Sequence, residues 1–322
     1  VVVLNPTKFA DLDDVRRQVV RAAGAAGVSR VVFVDSTEAD PGFGQTRQAV
    51  AGGADVVCAL GGDGTVRAVA QSLAGTGVPL GVLPGGTGNL LARNLDLPVD
   101  DLDDAVRIAL TGSERRIDIG WLAVDPTSAQ LAAEALTPAP GRPVPANLHA
   151  FAVMAGLGFD AAVMDDAPAG LKAAVGWAAY VVAGVRSLRG SRFEARIALD
   201  HGRPATRAAR TVVVGNCGQL TGGVELFPDA RPDDGILDVV TISPKGIAAW
   251  ARVVADVLTR GDDADAAHVH RRTGSELVIE VDPSQRAQVD GDVLPEAARV
   301  RITVAPAALL VRVPGLGDRK AR

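Results

Sequence analysis

The stretch Asp55-Val56-Val57-Cys58-Ala59-Leu60-Gly61-Gly62-Asp63-Gly64-Thr65-Val66-Arg67-Ala68-Val69-Ala70 decides how this chain is read. Residues 55–60 form an apolar run of strand type, Gly61 to Thr65 turns the chain, and 66–73 repeats apolar residues at helical spacing. A glycine turn between strand and helix lets the backbone approach an anion while the first helical amides point at it. Asp63 would repel a bare phosphate. It fits such a loop if it engages a metal, directly or through water, or orients a nucleotide; the simpler alternative is a tight turn with Asp63 capping the helix. A second loop, Pro84-Gly85-Gly86-Thr87-Gly88-Asn89, follows the next apolar run, 80–83, and precedes a helical segment at 90–94. Two such loops at neighbouring strand ends line one crevice, with Thr87 and Asn89 as hydrogen-bonding groups for phosphate or ribose.

Outward from these loops, strand patterns at 1–4, 31–34, 55–60 and 80–83 alternate with helical patterns at 12–23, 45–51, 66–73, 90–94 and 101–110. Asn5-Pro6 breaks the first strand and Asp11 is placed to cap the first helix. The alternation predicts a parallel α/β sheet with ligands at the carboxyl ends of its strands. The rhythm changes after about Arg115. Residues 126–145, rich in Pro and Ala, read as a loop or insertion. Strand patterns follow at 150–155, 194–199, 211–214, 237–242, 276–281, 299–304 and 309–313, interrupted by helices at 171–188 and 247–258. Strands without regular crossover helices predict a second, antiparallel domain of sandwich or barrel type.

Composition narrows the function. With 33 Lys+Arg against 38 Asp+Glu the net charge is −5 and no basic block is present, which argues against nucleic acid as a partner. The longest helical apolar run, 173–185, is well short of the roughly 20 residues a membrane span needs. The sequence starts at Val1 rather than Met, so an upstream stretch is expected; no signal peptide is visible. Cys58 and Cys217 sit in or beside valine-rich strands and read as buried thiols, in keeping with a cytoplasmic location. None of Lys8, Lys172, Lys245 and Lys320 follows a glycine, so there is no Walker-A motif. The run Gly156-Leu157-Gly158-Phe159-Asp160-Ala161 resembles a dinucleotide fingerprint but lacks an acidic residue about 20 positions on. His268 and His270 have neither a cysteine nor a third histidine nearby.

Two acidic turns complete the set. In Pro228-Asp229-Ala230-Arg231-Pro232-Asp233-Asp234-Gly235-Ile236-Leu237-Asp238, carboxylates and carbonyls suit a hard cation such as Mg²⁺, or form a solvated turn. Asp290-Gly291-Asp292 reads as a tight hairpin whose carboxylates could deprotonate a hydroxyl or hold a metal, or as a plain hairpin.

Taken in order along nearly the whole chain, Asn5-Pro6, the two glycine loops, Asp234-Gly235-Ile236-Leu237-Asp238 and Asp290-Gly291-Asp292 resemble the bacterial diacylglycerol-kinase-type lipid kinases, relatives of the sphingosine kinases. The first glycine loop alone is also similar to NAD kinases and phosphofructokinases. The resemblance implies an ATP-binding α/β domain over 1–117, completed by 305–322, and a β-sandwich lipid-substrate domain over 118–304, with ATP held between the lobes. It implies nucleotide contacts at Asn5, Pro6, Thr37, Gly61, Gly62, Asp63, Gly64, Thr65 and Thr87, and Mg²⁺ at Asp234 helped by the carbonyls of Arg231 and Ile236. The family's catalytic DGE turn falls on Asp290-Gly291-Asp292. Here Asp292 stands for the glutamate, so either Asp290 or Asp292 is the proton acceptor. Leu90 replaces an aspartate found in many members, and Asn5-Pro6-Thr7-Lys8-Phe9 replaces a glycine-ended loop, with Lys8 offering a charge to phosphate.

The reading is an ATP- and Mg²⁺-dependent lipid kinase, with Asp63 positioning the nucleotide and its metal. It would meet its lipid at the membrane surface, with Arg186, Arg189 and Arg192 as candidates for anionic headgroups; the sequence leaves the oligomeric state open, and homodimers are common among similar proteins. The alternatives are a kinase of a soluble molecule such as NAD, and a nucleotide- or lipid-binding regulator without turnover.

Overall fold

The computed structural model describes residues 1–158, 192–219, 225–243 and 269–315. The helices expected over 171–188 and 247–258, with Arg186, Arg189 and His268, lie outside the described residues. The chain divides into two units. One comprises Val1–Ile119, Pro138–Val144 and Ala305–Arg322, the other Gly120–Thr137 and Pro145–Val304.

In the first unit β1 (Val2–Leu4), β2 (Phe33–Asp35), β3 (Val57–Gly61) and β4 (Leu80–Pro84) form a parallel sheet in the order β2-β1-β3-β4. The end of the chain's last strand, β14 (Asp292–Val313), adds beyond β4 through Val311 opposite Leu80. Between the strands run α1 (Leu12–Ala25), α2 (Phe43–Ala51), α3 (Asp63–Leu73), α4 (Leu90–Asn94) and α5 (Leu102–Thr111). Asp11 and Asp101 start α1 and α5 by accepting from the amides of Asp14 and Asp104 at 2.8 and 3.0 Å, satisfying donors that a helix start leaves over. β1 and β3 are wholly buried because helices cover both faces of the sheet. On one face Val19, Ala23, Ala105, Val106 and Ala109 pack on Val2, Leu4, Cys58, Leu60 and Leu83. The approach of α5 to β4 needs Gly81, where a Cβ would lie 2.7 Å from both Cys58 Sγ and Ala109 Cβ.

The strand order positions the site. From β1 the chain goes to β2 on one side and then crosses to β3 on the other. The connections after β1 and β3 therefore run to opposite sides of a switch point in the strand order, which is where parallel sheets bind ligands.

The second unit is an antiparallel β-sandwich. β5 (Ser113–Val124) leads into it, followed by α6 (Ser128–Ala132), β6 (Leu148–Phe151) and β7 (Met154–Leu157). β8 (Phe193–Leu199), β9 (Ala205–Ala209), β10 (Thr211–Gly215), β11 (Leu237–Ile242), β12 (Val269–Gly274) and β13 (Glu276–Val289) complete it with β14. The strand order is β12-β11-β10-β7-β13-β14, with β8 and β9 continuing from β13 and β6 pairing with β5. Val212, Val214, Leu237, Val239, Leu277, Ile279, Val300 and Ile302 recur at period two and form its core. No helix among the described residues is long and apolar enough to cross a membrane.

The structure corrects the sequence reading in three places. The loop expected over 126–145 contains α6, which exists through a capping box: the Thr127 side chain accepts from the Gln130 amide while the Gln130 side chain accepts from the Thr127 amide. The single strand expected over 150–155 is two strands broken at Ala152-Val153, for a reason given below. β5, β9 and β12 were not anticipated, and β13 and β14 are longer than expected.

α6 is anchored by Arg301. Its guanidinium is fully buried, pairs with Glu276 at 3.0 Å through Nε, and donates to the carbonyls of Gln130, Ala133 and Glu134. These lie at the end of α6, where a cation is favoured by the helix dipole. Arg301→Ala is expected to lower the unfolding free energy by about 3–5 kcal/mol, because Glu276 and the helix-end carbonyls lose their partner; a urea titration reads it as a lower midpoint.

Candidate functional site

At the carboxyl ends of β1, β3 and β4 three loops converge. After β1, Asn5 caps a single 3₁₀ turn, Pro6–Lys8, with Oδ1 accepting from Thr7 N at 3.1 Å and Thr7 Oγ1 at 2.8 Å. Its own amide donates to the Leu60 carbonyl at 3.0 Å, tying this loop to β3. After β3, Gly61 ends the strand and Gly62 is the N-cap of α3. After β4, the Gly85 amide donates to the Gly61 carbonyl at 2.9 Å. The two glycine loops touch: a Cβ on Gly86 would lie 2.7 Å from Gly62 Cα. Gly64 follows in the first turn of α3, and Thr65 is buried under Gly61, where a Cβ would lie 2.7 Å from its hydroxyl oxygen.

Asp63 joins the loops. Its Oδ1 accepts from the Leu90 amide at 2.7 Å, and its Oδ2 lies where a Cβ on Gly88 would be, so a side chain there would displace the carboxylate. Leu90 thus partners Asp63 through its backbone while its side chain is buried. Asn89, in the left-handed region at φ 48°, closes the second loop on itself by bonds in both directions with the Gly86 backbone. Thr87 is exposed at the loop tip. Thr37 follows β2, next to β1. Its amide donates to the Asp40 carbonyl and its hydroxyl accepts from the Asp40 amide, at 2.9 and 3.0 Å. Every nucleotide-contact residue expected from the sequence thus stands at the carboxyl end of the parallel sheet of the first unit.

The second unit holds the other candidates. Asp290 and Gly291 form the two-residue turn between β13 and β14, both at positive φ (45° and 90°), as a tight hairpin requires. The Asp290 carboxylate is buried and accepts from three consecutive amides: Ala152 at 2.8 Å, Val153 at 2.9 Å and Met154 at 2.8 Å. These are the amides where the strand expected over 150–155 breaks; they leave the ladder to reach the carboxylate. The carbonyl side of the same segment is taken by Asn216 and Cys217, whose side chains donate to the Ala152 carbonyl at 2.9 and 3.4 Å. Asn216, fully buried, went unnoticed in the sequence because only the fold brings it to this segment. Asp292, one residue past the turn, is partly exposed and opposes Val289 at the start of β14.

The acidic turn before β11 also lies in this unit. Asp234 accepts from the Ile236 amide at 3.0 Å, and Gly235 between them has φ 74°. Arg231 and Asp234 are exposed, and so is Ile236, at 42%. Burial, with the charges of Asp234 and Asp229 adding to it, pushes the Asp238 carboxyl up to about 6. Among the described residues no three His, Cys, Asp or Glu side chains are assembled to hold a metal. The donors of this turn are nonetheless all oxygen, and the mutual repulsion of its carboxylates is what a hard cation relieves. Elsewhere, Gly156-Leu157 lies on β7, paired with β10 and β13, and the residues from 159 on lie outside the described residues. Cys58 is a buried thiol pushed up to about 11 by burial, and Cys217 is buried as well.

Comparison with known proteins places this geometry. Residues 1–122 match the model of the diacylglycerol kinase catalytic domain, and 153–313 that of the YegS C-terminal NAD kinase beta sandwich-like domain. A protein of Pectobacterium atrosepticum named "Probable lipid kinase YegS-like" is 30% identical over 81% of this chain and 79% of its own length. A diacylglycerol kinase of Mycobacterium tuberculosis is 29% identical over 84% of this chain and 80% of its own. An uncharacterised Synechocystis protein is 27% identical over 81% of this chain, which spans 55% of that protein's length. Among solved structures, a diacylglycerol kinase from Bacillus anthracis has a TM-score of 0.69 at 19% identity, covering 97% of this chain and 95% of its own. An NAD kinase from Archaeoglobus fulgidus shares the fold at a TM-score of 0.52 and 11% identity, covering 99% and 95%.

Two outcomes follow from the geometry. Asp290→Ala leaves three buried amides without an acceptor and is expected to cost about 3 kcal/mol, against about 0.5 kcal/mol or less for Asp292→Ala; urea unfolding separates them. The raised Asp238 holds a proton in the folded chain that the unfolded chain has released. In metal-free buffer the stability difference between the parent and Asp238→Asn therefore changes against the parent as pH rises from about 4 to about 6, and then levels.

Proposed function

The chain belongs to the diacylglycerol kinase catalytic-domain family, and from that premise we propose that it transfers the γ-phosphoryl group of ATP to the hydroxyl of a lipid of diacylglycerol type. The observation that carries this reading is the contact between Gly62 and Gly86: two glycine loops with their backbones against each other at adjacent strand ends, one opening α3. A side chain at Gly86 would run into the Gly62 backbone, so the loops present backbone to an anion approaching the start of α3, whose first amides have no intrahelical acceptors.

In this mechanism the phosphates lie on the loops of Gly61 to Thr65 and Gly85 to Thr87, with Asn5, Pro6 and Thr37 beside them. Asp63 holds the two loops at one spacing through the Leu90 amide. Asp292 is the proton acceptor. Asp290 keeps the turn in shape, since its oxygens are committed to three amides. The lipid hydroxyl gives its proton to the Asp292 carboxylate as its oxygen bonds to the γ-phosphorus; the bond to the β-phosphate oxygen breaks and ADP leaves. Such a reaction asks the protein for positioning and charge stabilisation rather than for a covalent nucleophile. Asp234 with the carbonyls of Arg231 and Ile236 would hold Mg²⁺, and the ion would neutralise the acidic turn before β11. The lipid is met at the membrane surface, and Arg192, bonded to Ser243 at 2.6 Å, is the described member of the expected headgroup cations.

The test is transfer of ³²P from Mg²⁺–ATP to mixed micelles of several lipid classes. Labelled lipid is expected from the parent, with kcat in Asp292→Asn lower by roughly 10²–10⁴ while its ATP affinity and unfolding midpoint are unchanged. Label on NAD or another soluble acceptor and on no lipid overturns the lipid assignment. Full activity in Asp292→Asn overturns its role as acceptor.

A further inference from the structure

Resting on that reading of the glycine loops, we propose that Lys8 is the cation that meets the terminal phosphates of the nucleotide, so that the site selects a nucleoside triphosphate over a monophosphate. Lys8 ends the 3₁₀ turn after β1 and is exposed. Its side chain makes no ion pair or hydrogen bond with any described residue. Its stem nevertheless lies against the start of α3: a Cβ on Gly62 would be 3.7 Å from Lys8 Cε, the same distance as from Gly86 Cα. The ammonium group is thus carried at the point where both glycine loops meet.

The turn that carries it is fixed. The Lys8 amide donates to the Asn5 carbonyl at 3.3 Å, and Asn5 is tied to β3. On the other side the Phe9 ring occupies the space a side chain at Gly85 would need, and packs on the core beneath α1 and α5. Lys8 is therefore pinned to the second loop by its neighbour while its own charge is uncommitted. Asp63, the acidic residue of these loops, is held by the Leu90 amide, and Arg93 has its Nε on the Gly88 carbonyl at 3.0 Å. Amides at the start of a helix carry only partial charge, whereas an ammonium is a full point charge with three donors that can follow phosphate oxygens. The chemistry it fits is the β- and γ-phosphates of a nucleoside triphosphate.

Isothermal titration of the intact chain with Mg²⁺–ATP, Mg²⁺–ADP and AMP, in the parent and in Lys8→Ala, Lys8→Gln and Lys8→Arg, tests this. In the first two variants ATP affinity is expected to fall roughly tenfold, the loss of one charged hydrogen bond, while AMP affinity and the unfolding midpoint stay as in the parent. Lys8→Arg is expected to keep most of the ATP affinity. Unchanged ATP binding in Lys8→Ala overturns the role of Lys8 alone, and equal losses for ATP and AMP overturn it in favour of a structural part. A parent chain that binds no adenine nucleotide overturns the kinase reading from which the proposal starts.

Discussion

The close approach of Gly62 and Gly86 sets the terms for the first unit. The loops come this close because Gly86 carries no side chain, where a Cβ would lie 2.7 Å from Gly62 Cα, and because the strands before them, β3 and β4, are adjacent and parallel. The Gly85 amide on the Gly61 carbonyl and the Asp63 carboxylate on the Leu90 amide then fix the spacing from both sides. What results is a surface of backbone donors at the carboxyl edge of the sheet, beside the switch point where the chain crosses from β2 to β3. An acidic residue in a loop suited to anions is unfavourable if it is free; bonded to an amide of the neighbouring loop, its charge is partly compensated and it becomes a tie.

The second unit is organised around a buried charge in the same manner. Asp290 would be costly to bury alone, and three amides of residues 152–154 make it tolerable. To supply them the chain interrupts a strand between β6 and β7, and Asn216 and Cys217 take up the carbonyl this exposes. The turn is thereby fixed from its first residue, and its third position, Asp292, is the carboxylate left partly exposed. Arg301 repeats the arrangement with opposite sign, collecting the carbonyls at the end of α6.

Both loops of the site were legible because a glycine-rich turn between a β-type run and a helical run is a local pattern. α1, α3, α4 and α5 were legible for the same reason, and Asp11 and Asp101 mark two of their starts. β9 (Ala205–Ala209) and β12 (Val269–Gly274) were not, because Ala-Thr-Arg-Ala-Ala and Val-His-Arg-Arg-Thr-Gly have little apolar alternation and are strands by virtue of the neighbours they pair with. β5 hides behind its charged start, Ser-Glu-Arg-Arg, which runs on directly from α5. α6 is too short for periodicity to show and depends on its caps and on Arg301, far away in sequence.

By itself the sequence determined the class of the fold, the positions of the two glycine loops and the acidic turns, and the family they resemble, since each is written in residues close together along the chain. The different surroundings of Asp290 and Asp292 were decided only in three dimensions. The two carboxylates flank one glycine and look alike in sequence; one is buried on three amides brought from 136 to 138 residues away and the other is partly exposed. The same holds for Asp63, whose partner is a backbone amide 27 residues on, and for Lys8, whose place against Gly62 follows from the adjacency of β1 and β3. Local spacing fixes which groups are present; the long-range pairing of strands fixes what each group faces.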